Sequence, residues 1–283
     1  MRHATTLFHQ ELACWYSIHN ESGLPITRDR HRAKHRGSER ECFKPFMNIQ
    51  HFIGWVIASI ACHAGIAHAG ELDFTVSDLA VEMVHVDGGV FQMGSDAGKL
   101  DEKPVHRVTI SKPFWLSKYE ITRPPFSVFC DSAPYQTLAE KQGWAREFNK
   151  GWQPVEGGSF RSMSTGKDRP ATCLSWDDCV AFAEWLTNRE ARAGRLPKGY
   201  QYRLPTEAEW EFAARGGNHS QGHPFAGSHL IESVAWFKEN AEMTTHPVGK
   251  KQGNPLGLHD MCGNVWEWCL DHAYRRNKQV VTT

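Results

Sequence analysis

The sequence has no surplus of charge of either sign. Lys+Arg and Asp+Glu each number 32 in 283 residues, so the formal net charge is zero. That balance gives no electrostatic basis for binding nucleic acid or an anionic membrane surface. None of the 8 cysteines falls in a Cys-x-x-Cys spacing, which removes both a zinc knuckle and a thioredoxin-type redox motif. No internal repeat and no low-complexity segment occurs. Residues 1–46 lack any sustained apolar period, and residues 28–44, RDRHRAKHRGSERECFK, carry seven Lys and Arg side chains. Such a stretch cannot bury a core, so it reads as a disordered basic arm or as an over-extended gene model with translation starting at Met47.

Charge is also missing in one place that matters. From Met47 to Gly70, MNIQHFIGWVIASIACHAGIAHAG, there is no Asp, Glu, Lys or Arg. An apolar centre from Phe52 to Ala61 precedes Ala67-His68-Ala69, small residues on either side of one variable position. Residues 47–69 therefore have the form of a signal peptide cleaved after Ala69, giving an exported protein, periplasmic or secreted. The alternative is a membrane anchor through the same residues, since the uncharged run is long enough to span a bilayer. His63, Gly65 and His68 weaken such a span and favour cleavage.

What is present is a globular domain after residue 70. Hydrophobic residues make up 40% of the chain, with 11 Trp and 15 Phe, enough for a large aromatic core, and 24 Gly and 14 Pro point to many turns. Five cysteines (130, 173, 179, 262 and 269) follow the expected cleavage site. Export permits disulfides, and an odd number leaves at least one thiol free or paired outside the chain. VEMVHVDGGVFQMGS (81–95) alternates on both sides of Asp87-Gly88-Gly89 and predicts a β-hairpin. Two further short strands are expected in residues 106–122, around Lys112-Pro113. Residues 131–170 show little period and are expected to form long ordered loops.

Two helices are signalled by their ends. Ser175 caps WDDCVAFAEWLTNREARAG, with Asp177 and Asp178 in the first turn and Gly194 at the end. Thr206 caps the second, Glu209 closes a capping box three residues on, and Gly216 stands after its C-terminus. Pro124-Pro125 should delay the start of any helix there to Pro125 or beyond. Short strands, two mid-chain helices and aromatic loops give an α+β domain.

Five stretches occur in order: GGVFQMGS, KYEIT, RPATCLSWDDCVAFAEWL, YRLPTEAEWEFAARGG and HPVGKKQGNPLGLHDMCGNVWEW. Together, over residues 81–271, they resemble the formylglycine-generating enzyme (sulfatase-modifying factor) family. The resemblance implies a C-type-lectin-like fold with little regular secondary structure, occupying residues 70–283. It also implies an activity, the oxidation of a cysteine in a Cys-x-Pro-x-Arg motif of a sulfatase to formylglycine, using molecular oxygen and copper. Soft thiolates suit Cu(I), and the family binds it with a cysteine pair.

Carried over residue by residue, the resemblance also implies a structural calcium site. Its ligands would be Asp260, the carbonyls of Gly263 and Val265, and Glu267; hard oxygen donors around a turn suit that ion. A second family calcium site maps onto Val234 and Ala235, where the expected Asn is replaced by an apolar residue. The copper-binding cysteines of the family follow the GNVWEW segment, and Thr283 comes before that motif. The domain is therefore expected to be C-terminally incomplete, without catalytic residues of its own. Cys262 and Cys269, six residues apart, are not promoted in their place. His219 and His223 lie in a Gly-rich loop and are expected to face solvent.

Two functions follow. The first is a formylglycine-generating oxidoreductase acting on an unfolded sulfatase or another exported protein. The second is a non-catalytic lectin-like accessory or binding module of the cell envelope. Neither involves nucleic acid, and the membrane enters only if the leader is uncleaved.

Overall fold

The structure, a computed structural model, describes residues 52–54, 57–60, 73–98, 100–148, 152–163 and 166–271. The basic stretch 1–46 and most of the leader lie outside these residues. Strands β1 (Phe52–Gly54), β2 (Ile57–Ile60), β3 (Phe74–Val76), β4 (Val81–Val86), β5 (Gly89–Met93), β6 (His106–Ile110) and β7 (Phe114–Ser117) open the described chain. Helices α1 (Arg123–Ser132) and α2 (Leu138–Gln142) follow, then strands β8 (Trp144–Phe148) and β9 (Trp152–Glu156) and the single turn α3 (Phe160–Met163). The chain continues through α4 (Trp176–Arg192), β10 (Tyr200–Arg203), α5 (Glu207–Ala214), α6 (Ile231–Val234) and β11 (Trp266–Trp268). The fold is α+β, as the sequence predicts.

The central sheet has five strands in the order β10-β2-β7-β4-β3, each antiparallel to its neighbours. Three two-stranded ribbons accompany it: β5-β6 and β8-β9, both antiparallel, and β1-β11, parallel. The predicted hairpin over 81–95 is corrected here. Both its strands form, but β4 joins β3 and β7 while β5 pairs with β6. The Asp87-Gly88-Gly89 turn moves the chain between sheets instead of folding it back on itself. The stretch 131–170 is also more regular than expected, since it contains α2, the β8-β9 ribbon and α3.

Alternation along the strands puts a core on each side of the central sheet. Met83 and Tyr202 enter one cluster with Phe126, Phe129, Phe160, Phe182 and Leu186. Val84, Val86, Phe114 and Leu116 enter the other, with Trp210, Phe212, Leu258 and Met261. Helix α4 has the expected cap, with Ser175 and Asp178 forming a reciprocal capping box, and α5 has the same arrangement in Thr206 and Glu209. Helix α1 starts at Arg123, ahead of both prolines. The correction has a simple cause: first-turn N–H groups have no intrahelical acceptor, so prolines at the first helical positions remove nothing.

Candidate metal centre

The turn from Asp260 to Asn264 is built on backbone that few residues adopt. Asp260 and Asn264 have φ of 60° and 68°, and short polar side chains tolerate this left-handed region best. Between them Gly263 presses against the neighbouring loop: a Cβ there would lie 2.3 Å from the Trp236 carbonyl oxygen. The Asn264 amide N–H donates to that same carbonyl (2.9 Å). Its side chain accepts from His246 N–H (2.8 Å) and donates to the His246 carbonyl (3.1 Å) and to Glu120 Oε2 (2.7 Å). The tryptophans beyond the turn secure the segment. Trp268 Nε1 donates to the Leu174 carbonyl (3.0 Å), and Trp176 Nε1 donates to the Cys269 carbonyl (2.8 Å).

Of the expected ligands, Asp260 is buried at 2% exposure. Its Oδ2 accepts from Gly249 N–H (2.7 Å), and its Oδ1 has no hydrogen-bond donor. Glu267 lies on β11 and accepts from Trp210 Nε1 (2.6 Å). The structure adds a carboxylate to which sequence reasoning gave no role. Glu120, between β7 and α1, is 1% exposed, with Oε2 held by Asn264 and Oε1 without a donor. A signal was present in the quoted KYEIT stretch, an ionisable residue set directly before the buried Ile121.

Burial pushes the Glu120 carboxyl well above the usual range, and the charges of Asp260 and Glu267 push the same way; Asn264 and the Val265 amide partly offset them. Burial raises Asp260 to about 6, against the Gly249 amide and His259. Ionised acids in such a place are costly unless a cation joins them. Among the described residues no three Asp, Glu, His or Cys side chains converge into a complete ligand shell. Any ion here must therefore also use main-chain oxygen, as calcium readily does. Glu120 and Asp260 are thus two buried carboxylates that each keep one oxygen without a donor, Asp260 within the turn and Glu120 bonded to it through Asn264. At the second mapped site Val234 is 1% exposed and the Ala235 carbonyl accepts from Asn240 Nδ2 (3.0 Å), so position 234 offers no side-chain oxygen.

No disulfide joins the five described cysteines to one another. Burial raises Cys130 to about 12 and Cys269 well above the usual thiol range. Cys179 is packed in the core, Cys262 Sγ accepts from Ala226 N–H (3.1 Å), and Cys173 Sγ lies 3.5 Å from Met163 Sδ. His219 is exposed on a 3-10 turn, as expected, whereas His223 is half-buried with its ring 4.4 Å from that of His229.

Residues 73–282 match the family model described as sulfatase-modifying factor enzyme 1-like domain. The chain is 32% identical over 234 residues to the formylglycine-generating enzyme of Thermomonospora curvata, covering 69% of this chain and 72% of that protein. It is equally similar, 32% over 225 residues, to the inactive C-alpha-formylglycine-generating enzyme 2 of Bos taurus, covering 66% and 70%. Among solved structures it resembles PvdO from Pseudomonas aeruginosa, with a TM-score of 0.56 and 28% identity over 72% of this chain and 76% of that one.

Proposed function

From the premise that the chain belongs to the sulfatase-modifying factor family, whose model spans residues 73–282, we propose that it supplies the scaffold of a formylglycine-generating oxidoreductase. The family match carries this reading. The substrate class is a sulfatase-type polypeptide with a Cys-x-Pro-x-Arg motif, presented unfolded. Copper, when bound, supplies the activation of oxygen that oxidises the substrate cysteine. In this chain the buried carboxylates Glu120 and Asp260, with the partly exposed Glu267 and the Gly263 and Val265 carbonyls, hold calcium and fix the turn between α6 and β11. Calcium there is structural and does no chemistry.

We assign none of the five described cysteines to copper. The leader-like residues 47–69 support export, with retention as an anchor the alternative; among the described residues no helix is long and apolar enough to cross a membrane. The second reading is a non-catalytic accessory module, since one relative of like identity is named inactive.

One assay separates the readings. A Cys-x-Pro-x-Arg peptide is incubated with oxygen, copper and the protein from its native source, and any aldehyde is captured with a hydrazide. Aldehyde at the cysteine is the expected result. Its absence would overturn the oxidoreductase reading and leave the accessory module.

A further inference from the structure

The internal position of the central sheet beside its edge strand β10 is filled by the segment that the sequence marks as a leader. Strand β2, Ile57–Ile60, lies between β7 and β10 and pairs antiparallel with both. Ala58 stands opposite Trp115 on one side and Tyr202 on the other. Adjacent strands lie roughly 4.8 Å apart, so β7 and β10 are separated by the width of one strand. The rings of Trp115 and Tyr200 meet across that width, with centroids 6.0 Å apart.

The composition this slot requires follows from the two cores. Tyr202 enters the cluster on one face, and Phe114 and Leu116 enter the cluster on the other. A strand between them is covered on both sides and has to be apolar throughout, not alternating. The stretch from Phe52 to Ala61 carries no charge and is the apolar centre of the leader. A short uncharged run suits both an export signal and a strand covered on both faces, and pattern alone does not separate them.

We propose that the slot between β7 and β10 is a strand-acceptor site for the chain's own leader. Ile57–Ile60 fill it while the leader is attached, and removal of residues 47–69 opens it. β10 has β2 as its one strand partner among the described residues, so opening the slot leaves β10 unpaired and turns β7 into an edge. Unpaired edges between two apolar cores invite a replacement strand. The leader thus acts as a placeholder that keeps the sheet closed before export.

Hydrogen exchange on the intact 283-residue chain tests this. Amides of 57–60 should be protected together with those of 114–117 and 200–203, sharing one opening event. Ala58→Pro, which removes an amide from a central strand, should speed exchange at 114–117 and 200–203 by about 100-fold while amides of α4 stay protected. Should that variant fail to fold, the wild-type pattern still decides. Free-coil exchange at 57–60 beside full protection at 114–117 and 200–203 would overturn the proposal.

Discussion

Glu120 and Asp260 are acids whose burial outweighs their hydrogen bonding, and this makes their substitution informative. In the calcium-free protein Glu120→Gln removes a buried carboxyl whose ionisation is opposed by burial first and then by Asp260 and Glu267. It should raise the metal-free Tm by a few degrees, corresponding to about 1 kcal/mol. The same change removes a calcium ligand, so the stabilisation by added calcium should shrink or vanish. Thermal unfolding in calcium and in chelator reads both effects; a variant destabilised equally in both would show a packing role only. The pH dependence has a definite sign. Asp260 has a folded-state pKa of about 6 against 3.8 for the free group, so between those values the folded state binds more protons than the unfolded state. Stability of the calcium-free protein should therefore fall as pH rises from about 4 to about 6, by up to roughly 3 kcal/mol. Calcium should flatten that slope, and denaturant titrations at a series of pH values would show it. Asp260 and Glu267 could be named from the sequence because the GNVWEW segment resembles a known pattern. Glu120 could not, because it is more than a hundred residues away and its partner Asn264 is set by tertiary folding.

Among the elements, α4 does more than span the core. Asp178 caps its own helix, accepting from Ser175 N–H (2.8 Å) and Oγ (2.7 Å) through Oδ2. Through Oδ1 it accepts from Leu138 N–H (3.1 Å) at the start of α2 and from the Tyr135 hydroxyl (3.0 Å). Losing one cap costs about 1 kcal/mol. Asp178→Ala loses a cap and also leaves neighbouring donors unmet, so it should cost about 2–3 kcal/mol. Thr206→Ala, a single cap on α5, should cost about 1 kcal/mol by the same measurement, chemical denaturation. The ends of α4 and α5 were legible because caps are local signals. Strand partners were not: β4 and β5 alternate as expected, but their partners lie elsewhere in the chain. The β8-β9 ribbon was hidden for a related reason. Pro154 sits inside β9, opposite Arg146, and proline argues against a strand except at an edge, which a two-stranded ribbon always offers.

In the whole molecule, a five-stranded sheet lies between two aromatic-rich cores, and the Asp260–Asn264 turn ties a late segment to Glu120 near the first helix. The α+β class was readable from composition and pattern. The placement of residues 57–60 inside the sheet was not, because a strand covered on both faces and an export signal share one composition. Family membership follows from residues 73–282. The calcium centre is the part of the account that this chain must supply by itself. The most direct measurement is calorimetric titration of calcium into the chelator-treated 283-residue chain. Saturable binding of a single ion, with a matching rise in Tm that Glu120→Gln and Asp260→Asn both reduce, is the predicted result. No binding heat, and a Tm unchanged between calcium and chelator, would contradict it.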